Sequence, residues 1–310
     1  MIRPRVSVII PVYNTGKYLG DALMSLKKQT LNDIEVIAID DGSTDNSAEI
    51  LQEWSSKLDM VILTKKNAGQ AAARNDGLDI AAGDYIYFLD SDDWIDPNTL
   101  ESCVAECDKN NLDFVFFDAV SFTGDGKILE SQNKWFDYHR GALYPHAQPG
   151  PVVMNDMLRR KLYRCSVCMS LFRRTFLMKN AIRFKDGIIH EDELFSALAY
   201  FNADRVKGLS REFYHRRIHD DSTMTRVFSK KNVDGYLAVA KDVQREGRRP
   251  ECWTVRKKLV SSYMLSLMHN GGKLDFKTKC RIAFEILFKY PYAFKLKPFT
   301  SFLFKKGRLL

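Results

Sequence analysis

Between Arg5 and Ser121 short apolar runs alternate with amphipathic stretches and little filler separates them. No other feature of the sequence limits the architecture as strongly. Arg5 to Val12 (RVSVIIPV), Ile34 to Asp40, Val61 to Thr64, Tyr85 to Leu89 and Phe114 to Ser121 have the length and composition of strands. Lys17 to Gln29 carries Tyr18, Leu19, Ala22, Leu23 and Leu26 on one helical face. A second helix is expected from near Asn46, with Glu49 three residues on as a capping box. Gln70 to Ala81 and Pro97 to Asp108 supply two more. Such alternation predicts a largely parallel sheet with helices on both faces. In sheets of that kind ligands sit at the carboxyl ends of the strands.

Those ends are polar in four successive cases: Pro11-Val12-Tyr13-Asn14, Asp40-Asp41, Asn67-Ala68-Gly69 and Asp90-Ser91-Asp92. If they line one crevice, Tyr13 offers an aromatic face and Asp41 a hydrogen-bond acceptor, a pairing that suits a pyrimidine. Gly69 lets backbone approach closely, and Arg74 supplies a planar cation for phosphate. Asp90 and Asp92 point the same way if the strand conformation persists through them. Carboxylates that close repel unless a proton or cation lies between them, and a hard divalent ion with phosphate beyond it would serve. A plain polar turn, with Asp92 or Asp96 capping the helix ahead of Pro97, is the competing reading. Neither G-x-G-x-x-G after the first strand nor G-x-x-x-x-G-K-[ST] anywhere is present, which removes the main support for dinucleotide and P-loop folds.

The stretches VSVIIPVYN, IDDGSTDNS, NAGQAAARNDG and YIYFLDSDD resemble, in order, the motifs of family 2 glycosyltransferases. The likeness covers residues 5 to about 120. It implies the GT-A fold, a Rossmann-like, mostly parallel sheet flanked by helices. It also implies an inverting enzyme that uses a nucleotide sugar, with a UDP-sugar as the first expectation, and a divalent cation, Mn or Mg. On that resemblance Pro11, Tyr13 and Asp41 hold the base, and Asn67, Gly69 and Arg74 line the nucleotide site, with Asn14 and Ser91 completing the set. Asp90 and Asp92 form the D-x-D element that touches ribose and carries the metal.

Gly124 to Pro151 is irregular, with Trp135, Phe136, Tyr138 and Tyr144 available either to stack on an acceptor sugar or to pack on the domain. A strand is expected at Val167 to Phe172 and a helix from Arg173. Ile188-Ile189-His190-Glu191-Asp192-Glu193 then enters a helix. Carboxylates there suit a helix dipole without any catalytic role. An inverting transfer, however, needs a base for the acceptor hydroxyl. The resemblance places an E-D pair about a hundred residues after D-x-D and makes it that base: Asp192 first, Glu191 second. Phe213 to Ser222 resembles the element that closes over the diphosphate, with His219 where relatives carry Arg; metal, phosphate or neither are its possible contacts. The expected divisions are 1–122 for the nucleotide-sugar half, 123–228 for the acceptor and base half, and 229–310 for a helical basic extension. The rival reading is a catalytically silent sugar-nucleotide-binding subunit, which has no need of the acidic pair.

Charge is unevenly placed. The net +8 lies entirely beyond residue 270, where ten Lys or Arg face Asp275 and Glu285, while the first 270 residues hold 37 of each sign. A nucleic-acid partner is therefore not expected. Phe276, Cys280, Ala283, Phe284 and Leu287 fall on one helical face. Basic residues beside aromatics suit an anionic membrane surface, and a helical cap on the domain is the alternative. No run reaches the roughly 18 apolar residues of a membrane span, and Met1 to Arg5 lacks a signal peptide's apolar stretch. Of the six cysteines, the pairs Cys103/Cys107 and Cys165/Cys168 read as small buried hydrophobes, and a reducing compartment fits. The expectation is a cytoplasmic enzyme, peripheral on the inner face of the membrane, acting on a glycan or lipid-linked acceptor in surface polysaccharide synthesis.

Overall fold

Seven residues without a charge, Val6–Val12, need cover on both faces, and in the computed structural model all seven are buried at the middle of the sheet. The structure describes residues 3–123, 138–140, 144–219, 228–246 and 250–304. In chain order the first half comprises β1 (Val6–Val12), α1 (Gly16–Lys27), β2 (Ile34–Asp40), α2 (Ser47–Trp54), β3 (Met60–Thr64), α3 (Gln70–Ile80), β4 (Tyr85–Phe88), β5 (Trp94–Ile95), α4 (Thr99–Asn110) and β6 (Phe114–Thr123). Then come α5 (Gly150–Arg160), β7 (Ser170–Arg173), α6 (Arg174–Lys179), α7 (Glu191–Asn202), β8 (Val206–Ile218), α8 (Lys230–Glu246), α9 (Trp253–Asn270), α10 (Phe276–Phe284) and α11 (Leu296–Phe304). The sheet order is β3-β2-β1-β4-β7-β6-β8-β5. β1 to β4 are parallel; β7 runs against both β4 and β6; β8 parallels β6, and the short β5 runs against β8. Val12 lies opposite Asp40 and Ile9 opposite Phe88, so the ends of β1, β2 and β4 open on one edge.

The expected parallel sheet with flanking helices is present, and most predicted ends fall within two residues of the observed ones. Four local readings differ. Asn46 stands before α2 but its side chain makes no cap; Asp45 accepts from the Ser47 backbone instead, at 3.0 Å. The strand does not persist through Asp90: β4 ends at Phe88, and a turn closes with the Asp93 N–H donating to the Asp90 carbonyl at 3.1 Å. Neither Asp92 nor Asp96 caps α4, because their carboxylates face His219 and His215. Val167–Met169 forms a 3-10 turn, and β7 begins only at Ser170.

In the irregular segment, Trp135 and Phe136 lie outside the described residues. Tyr138 and Tyr144 are buried against the domain, the latter donating to Asp156 at 2.9 Å, so these two rings do not offer a stacking platform. Pro151 falls in the first turn of α5, a position that tolerates proline. Of the two cysteine pairs, Cys103, Cys107 and Cys168 are buried as expected, whereas Cys165 is only half-buried. An aromatic knot docks α7 on the sheet: Phe195 is fully buried, stacks on Phe184 at 4.3 Å and meets the edge of Phe88 at 5.5 Å. Such pairs contribute about 0.5–1.5 kcal/mol beyond the area they bury. Because Phe88 precedes Asp90 by two residues and Phe195 follows Glu191 by four, this packing fixes the acidic turn relative to the start of α7.

The C-terminal helices pack behind α7 and α5. α9 buries Val255, Leu259, Val260, Tyr263, Met264 and Leu267. α10 departs from expectation. Its buried side chains are Thr278 and Ile282, followed by Ile286 in the next turn, whereas Phe276, Cys280, Phe284 and Leu287 of the predicted seam face solvent. The stripe lies along one side, but on the side away from the protein.

Candidate active site

Each strand end contributes differently. Pro11 is buried within β1, and just past it Tyr13 is 49% exposed. Asn14 takes a left-handed backbone (φ 53°) and its Oδ1 accepts from the Thr44 N–H at 2.7 Å, joining the first two ends. Asp41 is buried, and its two oxygens accept from the Ala68 and Gly69 N–H groups, each at 2.8 Å. This holds the third strand end under the second while leaving each oxygen a further lone pair. Gly69 (φ 92°) occupies a conformation that a side chain would strain, and it opens α3. Asn67 is exposed on the same loop.

α3 then carries two side chains to the acidic turn. Gln70 Nε2 and Arg74 Nη2 both donate to Asp90 Oδ1, at 2.9 and 2.7 Å. Arg74 Nη1 donates to Glu191 Oε1 at 3.1 Å, across 117 residues of sequence. The guanidinium is buried and lies 5.1 Å from the centre of the Phe184 ring. Burial works against its charge, but Asp90 and Glu191 more than offset this and raise its pKa. Arg74 thus lines the site from behind, tying the D-x-D turn to the first turn of α7.

The remaining turn residues are held by the late strand. Ser91 is buried and accepts from the Thr15 hydroxyl at 2.9 Å. Asp92 lies 3.0 Å from His219 Nε2, and burial, then the nearby Asp90 charge, pushes its carboxyl upward. Asp93, which the motif leaves without a role, is buried and accepts from the Tyr214 hydroxyl and the Arg217 N–H at 2.5 and 2.6 Å. Arg217 donates from Nε to the Asp92 carbonyl at 3.1 Å and sits over the rings of Tyr18 and Trp94. Sequence reasoning assigned nothing to Gln70, Tyr214 or Arg217. Adjacency to Gly69 and to His219 was the available signal. Asp220 to Ser222 of the closing element lie outside the described residues.

The third group of carboxylates begins α7. His190 precedes it with φ 72°, and stacks on Tyr236 of α8 at 3.9 Å. Burial lowers its pKa to about 4 and leaves the ring neutral. Burial raises both Glu191 and Asp192, the charge of Asp192 adding to the first and Arg74 restraining the second. Glu193 is pushed up to about 8 by burial and by Asp192, against hydrogen bonds from Tyr263 (3.0 Å) and Tyr163 (3.4 Å). Two acidic centres therefore meet at one buried arginine below the open strand ends. A separate cavity of about 440 Å³ between α5 and α9, lined by Pro149, Val152, Phe201 and Val255 among others, contains none of these residues.

A mostly parallel α/β sheet, with the Asp90-Ser91-Asp92 turn past the end of its fourth strand and an acidic helix start beside it, is the frame of a glycosyltransferase fold. The chain belongs to glycosyl transferase family 2, whose model matches residues 7–180. It is 33% identical over 248 residues to the putative glycosyltransferase EpsH of Bacillus subtilis, a match spanning 77% of this chain and 68% of that protein. It is 31% identical over 216 residues to the poly(ribitol-phosphate) beta-N-acetylglucosaminyltransferase TarS of Staphylococcus aureus, across 68% of this chain but 35% of that protein. The structure of TarS residues 1–349 with UDP-GlcNAc superposes with a TM-score of 0.68 at 23% identity, covering 96% of this chain and 81% of that one. The mannosyltransferase PcManGT of Pyrobaculum calidifontis, in complex with GDP-Man and Mn2+, gives 0.59 at 15% identity over 98% and 86%. These likenesses establish the GT-A-type fold.

Proposed function

We propose that the chain is an inverting glycosyltransferase that moves a sugar from a nucleotide sugar, UDP-linked in the first instance, to a hydroxyl of a glycan or lipid-linked acceptor in surface polysaccharide synthesis. One observation carries the reading: the buried guanidinium of Arg74 joins Asp90 to Glu191 in an ion triad, so the two acidic motifs lie side by side. A binding subunit would not need the second motif. The UDP-GlcNAc and GDP-Man complexes of TarS and PcManGT support a nucleotide-sugar donor.

In this mechanism Tyr13 and the free lone pairs of Asp41 meet the base, with Pro11 and Asn14 shaping the pocket floor. Asn67 and Gly69 flank the phosphates, and Asp90 and Ser91 lie on the ribose side. Among the described residues no group of three or more His, Cys, Asp or Glu could hold a metal unaided. Asp92 and His219, 3.0 Å apart, nonetheless fit a cation that draws its other ligands from diphosphate and water. Asp90 offers only Oδ2 freely, since Oδ1 already receives Gln70 and Arg74. A divalent cation, when bound, neutralises charge on the leaving diphosphate.

Asp192 accepts the proton of the acceptor hydroxyl as that oxygen bonds to the anomeric carbon, and the bond from that carbon to the diphosphate oxygen breaks on the opposite side. Its raised pKa strengthens it as a base, while the nearby Arg74 favours its ionised form. The test is hydrolysis and transfer from UDP-, GDP- and dTDP-sugars, with Mn and with EDTA. Asp192→Asn should retain donor binding and lose transfer by about 100-fold or more. Its comparison with Glu191→Gln identifies the base, and parental rates in both would remove this mechanism.

A further inference from the structure

The stripe Phe276, Cys280, Phe284, Leu287 and Phe288 is unusual because its partner face is the one buried. Phe276 is 81% exposed, Phe288 71% and Phe284 53%, while Ile282 and Ile286 on the other side reach the core. Phe284 and Phe288 lie 4.9 Å apart, forming a continuous ridge of phenyl surface. Lys277, Arg281 and Lys289 are exposed along the same helical stretch, Lys273 is exposed in the turn before it, and Lys295 and Lys297 follow it. Arg281 also bonds Asp234 of α8, which pins the inward side of the helix to the body of the protein.

An apolar ridge flanked by cations has to be matched by something apolar and negatively charged. A second copy of this chain is a poor match, because it would set one +8 segment against another. Among the described residues no helix is long and apolar enough to cross a membrane, so insertion would be shallow. We infer that α10 and the turn after it seat the protein on an anionic lipid bilayer, with the phenyl ridge at acyl depth and the lysines among the headgroups. This deepens the proposed use of a lipid-linked acceptor and rests on that reading for its purpose, since such an acceptor would present its sugar at the headgroup plane.

The experiment is flotation of the full chain with phosphatidylcholine vesicles, with and without phosphatidylglycerol, at low and high salt, beside solution hydrolysis of the donor. The parent should float only with the anionic vesicles and less at high salt. Phe284→Ser with Phe288→Ser should lower binding about tenfold or more, and Lys277→Glu about fivefold or more. Neither variant touches the strand-end crevice, so donor hydrolysis should be unchanged. Flotation of the variants equal to the parent's would overturn the proposal. So would a parent that stays down with anionic vesicles, or one whose phenyl ridge proves to close a concentration-dependent dimer. Flotation without any donor hydrolysis would keep the lipid surface and reject the transferase reading instead.

Discussion

Arg74 is held by two carboxylates, and its Nε has no hydrogen-bond partner among the described residues. Its removal leaves the largely buried Glu191 and the partly exposed Asp90 facing each other without the cation they share. Arg74→Met should therefore cost about 3–5 kcal/mol of stability, read from denaturant unfolding, along with transfer. A midpoint equal to the parent's would show that the triad does not hold the two turns together. Glu193 acts in the opposite sense. Its folded pKa of about 8 lies above the ordinary carboxyl value, so its stabilising contribution is complete below the unfolded pKa and is lost as pH rises through 8. Glu193→Gln should melt progressively higher than the parent as pH goes from 5 to 8, measured by thermal denaturation across that range; a constant difference would refute the shift. Asp90, Asp92, Glu191 and Asp192 were legible in the sequence as clustered carboxylates behind recognisable spacings. The Arg74–Glu191 contact was not, since nothing local couples positions 117 apart.

Among elements, the helix start that carries Asp192 is shaped by α8. Gly235 faces the Ile189 carbonyl and the His190 ring so closely that a Cβ there would enter contact distances that real side chains do not reach. Alanine is the better helix former by about 1 kcal/mol, but overpacking against a backbone carbonyl costs about 1–3 kcal/mol and should win. If Asp192 is the base as proposed, Gly235→Ala is expected to lower kcat severalfold with little change in the KM for donor, because it displaces the 189–192 turn and not the strand ends. Steady-state kinetics decide this, and a loss confined to KM would contradict it. The strands β1 and β4 could be read because both faces are buried and no residue is charged, and β2 because Val36–Ile39 forms a buried apolar run. β8 could not: Val206–Ile218 carries Lys, Ser, Glu and Arg, is half exposed, and pairs with β6 through register shifts near Asp118. α5 was hidden behind Pro149-Gly150-Pro151, which reads as loop although proline fits a first turn. For α10 the periodicity revealed a stripe, but periodicity alone does not say whether a stripe meets protein or solvent.

At the scale of the molecule, the fold is held while the sequence differs: 95% of this chain superposes on 50% of the TarS chain with a TM-score of 0.70 at 22% identity. Core volume and strand order can survive that divergence, because hydrophobic positions tolerate exchange more readily than polar contacts do. The basic tail differs in kind, since its charge is confined to one end and leaves the rest formally neutral. The contact of Gly235 and Tyr236 with the His190 turn has a consequence for how such chains can be recombined. The family match ends at residue 180, yet the wall behind Glu191 and Asp192 is built by helices well beyond it. A chimera that takes residues 229–310 from a relative inherits a foreign mould for its own Glu191–Asp192 turn. Such grafts should work only when the 188–202 segment travels with the tail, so the two behave as one heritable module.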